Sequence, residues 1–224
     1  MCGRFAFFSP SEATAALFGA RGSVDVTPRY NIAPTQDIAA IRIGKDGEKE
    51  LVTLRWGLIP FWAKDPAIGN RMINARAETV AEKPSFRTAY KKRRCLVLAD
   101  GFYEWHKEPS GPKTPYFITR ADDQPMAFAG LWENWHDKET DADVQTATVI
   151  TMPATPFMTA LHHRMPVVLD TAVADSWLAG DNELLDFAAE FSPELKAWPV
   201  DRRVNSPKNE DDELIAATGD VLTD

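Results

Sequence analysis

The chain has 224 residues, 44% of them hydrophobic and 26% charged, which is typical of one soluble globular domain with a sizeable core. No apolar run approaches the roughly eighteen residues of a membrane span, and no signal peptide is apparent, so we expect a cytoplasmic protein without a membrane partner. The two cysteines, Cys2 and Cys95, and four histidines form no HExxH or paired CxxC motif, so we predict no metal and no cofactor.

The net charge of −8 is unevenly distributed along the chain. Residues 1–109 hold 17 Lys/Arg against 12 Asp/Glu, a balance of +5, whereas the residues after 109 sum to −13. A basic face built from the first half is therefore compatible with a phosphate-bearing partner, although the charge alone does not demonstrate one.

In the first half, a short strand precedes a helix that starts with Pro10 in its first turn and stops near Gly19 or Gly22. Residues 29–43 read as a loop and a strand, and Asp46-Gly47 marks a hairpin to the next strand. Residues 56–79 form a long connection rich in Pro, Gly and aromatic residues, of a length that is usually functional or mobile.

In the second half, residues 84–94 predict a short helix with a basic end, followed by a strand in which Cys95 is a buried small residue. Further strands, a short helix ending near His162 and His163, a helix closed by Gly180 and a helix over 182–190 complete the pattern. We predict an α+β fold: a curved, mostly antiparallel β-sheet or barrel core flanked by short helices. Residues 1–209 are expected to form a single domain, and residues 210–224 an acidic tail or weak helix.

Cys2 becomes the N-terminal residue if Met1 is removed, and it then carries a thiol and an α-amine on adjacent carbons. Their ordinary pKa values, about 8.5 and about 8, leave both partly deprotonated at neutral pH. Such a 1,2-aminothiol condenses with an aldehyde to a Schiff base, which the sulfur closes to a five-membered thiazolidine. The alternative is that Cys2 is only a small residue at the start of the first strand.

Glu104 lies in GFYEW, where strand alternation places Phe102 and Glu104 on one face and Tyr103 and Trp105 on the other. A carboxyl group among aromatic residues is either at a pocket rim or has a raised pKa, as a general acid or base requires. The alternative is a side chain that reaches solvent beyond the aromatic residues.

Two other polar segments are ambiguous on residue type alone. Adjacent residues His162 and His163 point in different directions, and a histidine at a helix end is often a structural cap. Asn74, Arg76 and Glu78 share one side of an extended segment and are compatible with a site or with an ordinary surface ion pair. No GxSxG or GxGxxG motif is present, so neither a serine hydrolase nor a dinucleotide-binding fold is supported.

Six motifs in this order resemble the SRAP family, the SOS response-associated peptidase or abasic-site processing proteins. They are MCGRF at 1–5, RYNIAP at 29–34, WGLIPFW at 56–62, INARAET at 73–79, DGFYEW at 100–105 and LHHRMP at 161–166. The resemblance covers residues 1 to about 209, and six motifs in register are highly specific.

The resemblance implies binding of single-stranded DNA, including single-strand/double-strand junctions, and a covalent thiazolidine between the mature Cys2 and the aldehyde of an abasic site. It also implies removal of Met1 by the protein itself, which gives the family its peptidase name; a host methionine aminopeptidase would serve equally, and the sequence does not choose between them. A monomer that associates with the nucleoid upon DNA damage is expected. The implied catalytic set is Cys2, Asn74, Glu104 and His162, with His163, where the family often has an acidic residue, as a lesser candidate.

The same resemblance implies a set of DNA-binding residues. The arginines would hold phosphates, and the aromatic residues would stack on unpaired bases, although many relatives have Trp where Phe61 stands. The set comprises Arg4, Asn31, Pro34, Phe61, Trp62, Arg76 and Arg164.

Two other classes stay open at this point. Class II glutamine amidotransferases also begin Met-Cys-Gly, but their substrate-binding motifs are not apparent here. A non-catalytic single-strand DNA-binding protein in which Cys2 is incidental is the second alternative.

Overall fold

The computed structural model describes residues 2–24, 27–180 and 192–224. The helix predicted over 182–190 lies outside these residues. The described helices are α1 (Ser11–Leu17), α2 (Arg87–Lys92), α3 (Pro156–Thr159) and α4 (Thr171–Ala179), and 3-10 helices at Pro66–Arg71, Ala77–Thr79, Arg202–Asn205 and Asp212–Ile215. Among the described residues, no helix is both long and apolar enough to cross a bilayer.

Strands form the main framework of the described chain. In order, they are β1 (Phe5–Phe7), β2 (Arg29–Ile32), β3 (Asp37–Ile43), β4 (Lys49–Trp56), β5 (Asn74–Arg76), β6 (Arg94–Ala99), β7 (Gly101–His106), β8 (Thr114–Arg120), β9 (Met126–Asp137), β10 (Ala142–Pro153), β11 (Arg164–Pro166), β12 (Val168–Leu169), β13 (Leu195–Pro199) and β14 (Leu222–Thr223).

Five strands close into a barrel, in the order β10-β4-β3-β6-β9 and back to β10. Closure is visible at Ala147 of β10, which is paired with Trp132 on β9 and with Trp56 on β4. Most pairings are antiparallel, as in the β3–β4 hairpin whose turn contains Gly47 at φ +84°, but β10 runs parallel to β4 and β5. The predicted curved, mostly antiparallel barrel core with short helices is confirmed.

A second sheet, ordered β14-β13-β8-β7-β1-β2, packs against the barrel. Its strand β1 is antiparallel to β7, with Phe5 opposite Phe102. Beyond that pair, the backbone N–H of Tyr103 donates to the carbonyl oxygen of Arg4 at 2.9 Å. This register places the N-terminal residues beside β7, the strand that contains Glu104.

The main core fills the barrel and the space between the sheets, and includes Phe102 and Cys95, which is buried as predicted and is a free cysteine. A smaller apolar cluster on the other face of β7 contains Tyr103 and the C-terminal residues Val204 and Leu214. Residues 210–224 thus include a buried side chain as well as strand β14, which pairs with β13.

Candidate functional site

Cys2 is fully buried, and its backbone is fixed by a side chain from the barrel. The side-chain amide of Asn74 donates from Nδ2 to the carbonyl oxygen of Cys2 at 2.7 Å. Asn74 begins β5, where its pairing with Val149 of β10 holds it at the barrel edge. Its Oδ1 atom is buried without a hydrogen-bond partner among the described residues, so this atom is available to a donor that arrives with a ligand.

Glu104 faces the same site from β7. It is only 3% exposed, so the alternative in which this side chain reaches solvent is wrong. Burial raises the pKa of its carboxyl group, because desolvation disfavours the ionised form. Burial first, and the charge of Glu104 second, raise the pKa of the Cys2 thiol, which is therefore protonated at neutral pH in this structure.

His162 completes the group from the turn after α3. Its Nδ1 atom lies 3.0 Å from both the backbone nitrogen and the carbonyl oxygen of Arg164, which fixes the ring, and its Nε2 atom lies 4.0 Å from Oε2 of Glu104. Burial lowers the pKa of His162. An acid with a raised pKa and an imidazole with a lowered pKa are suited to proton transfer near neutral pH.

The structure thus brings together Cys2, Asn74, Glu104 and His162 from four distant segments. His163 is exposed and stacks on His162, with ring centroids 4.3 Å apart. The expectation that the two histidines point in quite different directions is wrong, because the turn after α3 aligns their rings.

Arg164 is buried and engaged inside the protein. Its guanidinium group makes two hydrogen bonds to the carboxylate of Glu78 and donates to the carbonyl oxygen of Thr151 at 2.6 Å. Glu78 therefore pairs with Arg164, and this hydrogen bond is the main cause of the lowered pKa of Glu78. Phosphate binding by Arg164 stays a prediction, since Glu78 and Thr151 engage both of its terminal nitrogens.

Arg4 and Asn31 also make internal hydrogen bonds. Arg4 donates to Oδ1 of Asn31 at 2.6 Å and to the carbonyl oxygen of Val204 at 2.7 Å. Asn31 is fully buried and donates to carbonyl oxygens of residues 204, 206 and 209 at 2.8–3.3 Å. The structure therefore gives both residues a role in binding the C-terminal segment, and their contact with DNA stays a prediction.

Phe61 and Trp62 are 56% and 49% exposed in the loop after β4, although both are large and apolar. They line a cavity of about 550 Å³ together with Lys64, with Trp135 near the end of β9 and with Lys138, which follows that strand. Of the other predicted DNA-binding residues, Arg76 is exposed and Pro34 is half-buried.

Comparison with known proteins decides the family. The family model described as SOS response associated peptidase (SRAP) matches residues 1–207. The chain belongs to the SRAP family. This SRAP chain is 40% identical over 223 residues to the abasic site processing protein YoqW of Bacillus subtilis, covering 96% of this chain and 99% of the relative. It is 31% identical over 227 residues to the abasic site processing protein YedK of Escherichia coli, covering 96% and 99%.

Solved structures share the SRAP fold of this chain. An X-ray structure of a Bacteroides thetaiotaomicron protein superimposes with a TM-score of 0.85 at 26% identity, covering 97% of this chain and 100% of that one. A phage-related protein of Bordetella bronchiseptica superimposes with a TM-score of 0.71 at 29% identity, covering 90% and 95%.

Sequence reasoning missed several residues around the SRAP site. Trp135 donates from its indole nitrogen to the carbonyl oxygen of Ala63 at 2.8 Å and so anchors the loop that carries Phe61 and Trp62. Trp135 lies at the end of a long strand, and no motif relates that strand to the loop. The charge of Lys113 acts on His162, although Lys113 lies in a Gly-Pro segment without a motif.

Proposed function

We propose that this protein binds single-stranded DNA and captures abasic sites through Cys2 after removal of Met1, as a covalent thiazolidine. The observation that carries the proposal is that Asn74 and Glu104 act directly on Cys2, while His162 lies 4.0 Å from Glu104. The names of the SRAP relatives, abasic site processing proteins, support the same lesion as substrate.

In the first step, the α-amine of mature Cys2 attacks the aldehyde of the ring-opened abasic sugar. Glu104, whose pKa is raised by burial, donates the proton with which the carbinolamine oxygen leaves as water, and the resulting carboxylate takes up the proton that the nitrogen releases as the C=N bond forms. Asn74 orients the residue through the carbonyl oxygen of Cys2, and its free Oδ1 accepts a hydrogen bond from the amine.

In the second step, the Cys2 sulfur attacks the imine carbon. An S–C bond forms, the C=N bond becomes single, and the nitrogen takes up the proton that the thiol releases. His162 relays this proton, because its lowered pKa keeps the imidazole neutral and able to accept it. The net reaction releases one water and links the abasic site covalently to Cys2.

We also propose that Met1 is removed by the protein itself at the same residues. Until that cleavage, the nitrogen of Cys2 is part of a peptide bond and cannot form an imine. Exposed Phe61 and Trp62 would stack on unpaired bases beside the lesion, which is a contact tolerant of sequence.

The decisive experiment incubates the purified protein, with Met1 removal verified by intact mass, with a single-stranded oligonucleotide that contains one abasic site. A heat-stable adduct on a denaturing gel, with a mass equal to both components less one water, is expected. Cys2→Ser retains an amine and should give an adduct only after borohydride reduction, which separates a thiazolidine from a simple Schiff base.

The matched control is a variant with one lysine inserted before Cys2 that is not removed. This variant keeps the Cys2 thiol, but the nitrogen of Cys2 stays in a peptide bond and is no longer an α-amine. It should form no heat-stable adduct. A heat-stable adduct with Cys2→Ser, or none with the wild type, would refute the proposal. Glutamine hydrolysis should be absent in every variant, which distinguishes this chain from an amidotransferase.

A further inference from the structure

A cavity of about 550 Å³, here named the hairpin cavity, lies between the loop after β4 and the tip of the β9–β10 hairpin. Phe61, Trp62 and Lys64 line it from the loop, and residues 135–139 line it from the hairpin. Six large apolar side chains are exposed among the described residues, and Phe61 and Trp62 are the aromatic ones. Sites for small ligands have volumes of roughly 300–1,000 Å³, so a nucleobase with its sugar fits this space.

We propose that the hairpin cavity binds a second nucleobase of the captured strand, about two to five nucleotides away from the abasic site. This inference rests on the proposed function and adds a subsite to it. It gives the tip of the β9–β10 hairpin, which no sequence motif marks, a direct role in holding DNA.

The charges that line the hairpin cavity favour a neutral ring over a phosphate inside it. Asp137 and Glu139 line it as well as Lys64 and Lys138, so a strongly charged ligand meets charges of its own sign. The carboxylate of Asp137 accepts hydrogen bonds from the backbone nitrogen of Glu139 at 2.9 Å and from the hydroxyl of Thr140 at 2.8 Å. These bonds lower the pKa of Asp137 and keep it ionised. A nucleobase is uncharged and offers a face for aromatic stacking.

Lys64 and Lys138 are suited to the phosphates on either side of that base. Both side chains are exposed, and neither forms an ion pair within the described part of the chain. Their ammonium groups can therefore reach phosphates outside the cavity while their carbon chains lie along its wall.

Hydrogen bonds to the barrel hold the loop side of the hairpin cavity in place. The indole nitrogen of Trp135 donates to the carbonyl oxygen of Ala63 at 2.8 Å. The backbone nitrogen of Ile59 donates to the hydroxyl of the buried residue Thr146 at 2.9 Å. A loop that is already fixed loses little conformational freedom upon binding, so little of the stacking free energy is offset by ordering.

The register of β10 gives the distance between the hairpin cavity and Cys2. Asn74, which binds the carbonyl oxygen of Cys2, pairs with Val149, and Trp135 pairs with Val144. Val144 and Val149 are five residues apart on β10, which corresponds to about 17 Å along an extended strand. That distance spans about five nucleotides of a stacked single strand, or roughly half as many of an unstacked one.

A fluorescent base analogue tests this subsite. Each single-stranded oligonucleotide carries tetrahydrofuran, an abasic analogue without an aldehyde, and one 2-aminopurine at successive positions on either side of it. Stacking on an aromatic side chain quenches 2-aminopurine. We expect strong quenching at positions about two to five nucleotides from the analogue on one side, and weak quenching at the other positions.

Substitutions at the hairpin cavity should remove this signal. Trp62→Ala should abolish the position-dependent quenching and weaken binding about 5- to 100-fold, and the wild type should lose a similar factor on an oligonucleotide that ends before these positions. Trp135→Phe keeps a ring but loses the hydrogen bond to Ala63, so its quenching should be intermediate. Thermal denaturation verifies that each variant is folded.

The lysines are tested by the salt dependence of binding. Lys64→Gln and Lys138→Gln should each reduce the slope of log K against log salt by about 0.7, the value for one phosphate contact of a single strand. Lys45→Gln is the matched control, because Lys45 is an exposed lysine in the β3–β4 turn, at the other end of β4 from the loop. Its slope should equal that of the wild type.

Equal quenching at all positions would overturn the inference, as would the same quenching in Trp62→Ala and the wild type. The analogue has no aldehyde, so this assay is independent of the chemistry at Cys2. Position-dependent quenching in a protein that forms no adduct on a true abasic site would support the subsite and refute the proposed capture. Adduct formation without such quenching would refute the subsite alone.

Discussion

The side-chain amide of Asn74 donates to the carbonyl oxygen of Cys2 at 2.7 Å, and it joins the edge of the barrel to the N-terminal segment. Asn74→Ala removes this hydrogen bond and the free Oδ1 acceptor. We expect the rate of adduct formation on abasic single strands to fall by about 10- to 100-fold, because the reacting amine is no longer oriented. The measurement is a time course on denaturing gels with excess protein.

Asn74→Asp is the matched control, because it keeps the size and one oxygen but replaces the donor with a carboxylate. Its rate should also fall, while the affinity of both variants for intact single strands stays within about twofold of the wild type. If the DNA affinity of Asn74→Ala falls by the same factor as its rate of adduct formation, Asn74 contacts DNA rather than orienting Cys2.

Glu104 combines a functional position with a cost in stability. Burial raises its folded-state pKa above the unfolded value, so between these two pKa values the folded protein keeps a proton that the unfolded chain has released. Stability therefore falls as pH rises through that window. Glu104→Gln removes this dependence, and we expect its melting temperature to exceed that of the wild type at pH 7.5, by a margin that shrinks towards pH 4.

The same Glu104→Gln variant should form adducts at least about 100-fold more slowly, since the amide cannot donate and accept protons. Glu133→Gln is the control, because Glu133 is also a buried carboxylate with a raised pKa but pairs with Arg93 at 2.6 Å. That change should lower the melting temperature and leave the adduct rate unchanged. A melting temperature of Glu104→Gln below that of the wild type at pH 7.5 would show that the buried Glu104 carboxyl group does not cost stability.

Trp62 is 49% exposed, so its removal tests DNA contact without disturbing the core. Trp62→Ala should weaken binding of intact single strands by about 1–3 kcal/mol, which is the usual value of stacking on one base. Fluorescence anisotropy with a labelled oligonucleotide gives the affinity. Leu17→Ala, at another exposed apolar residue that lines a separate surface with Phe18 and Thr171, should bind DNA as the wild type does.

The local patterns in the sequence predicted much of this fold. Alternation in GFYEW correctly placed Phe102 and Tyr103 on opposite faces of β7, where the structure has them in the main core and in the smaller cluster, respectively. The Asp46-Gly47 turn correctly marked the β3–β4 hairpin. Such patterns involve only residues that are close in sequence, so they predict strand faces and turns whatever the overall topology.

Closure of the barrel could not be predicted in the same way. It depends on parallel pairing between β10 and β4, whose paired residues Ala147 and Trp56 lie far apart in sequence. For the same reason, the internal partner of Arg164 was not evident: Glu78 reaches it only because β5 and β11 flank β10. The presence of a polar residue in a motif does not show whether its hydrogen-bond partner is a ligand or a side chain distant in sequence.

Asn31 is the sharpest test of that distinction, because it is fully buried and holds the C-terminal segment through three carbonyl oxygens. Asn31→Ala removes its hydrogen bonds to these carbonyl groups and the one it accepts from Arg4, so we expect a loss of about 2–3 kcal/mol in the free energy of unfolding. Urea denaturation gives this value. Asn70→Ala, an exposed residue with one long hydrogen bond of 3.3 Å to Arg55, should cost less than about 0.5 kcal/mol. If Asn31→Ala instead unfolds like the wild type and binds single strands more weakly, Asn31 contacts DNA and its internal hydrogen bonds contribute little to stability.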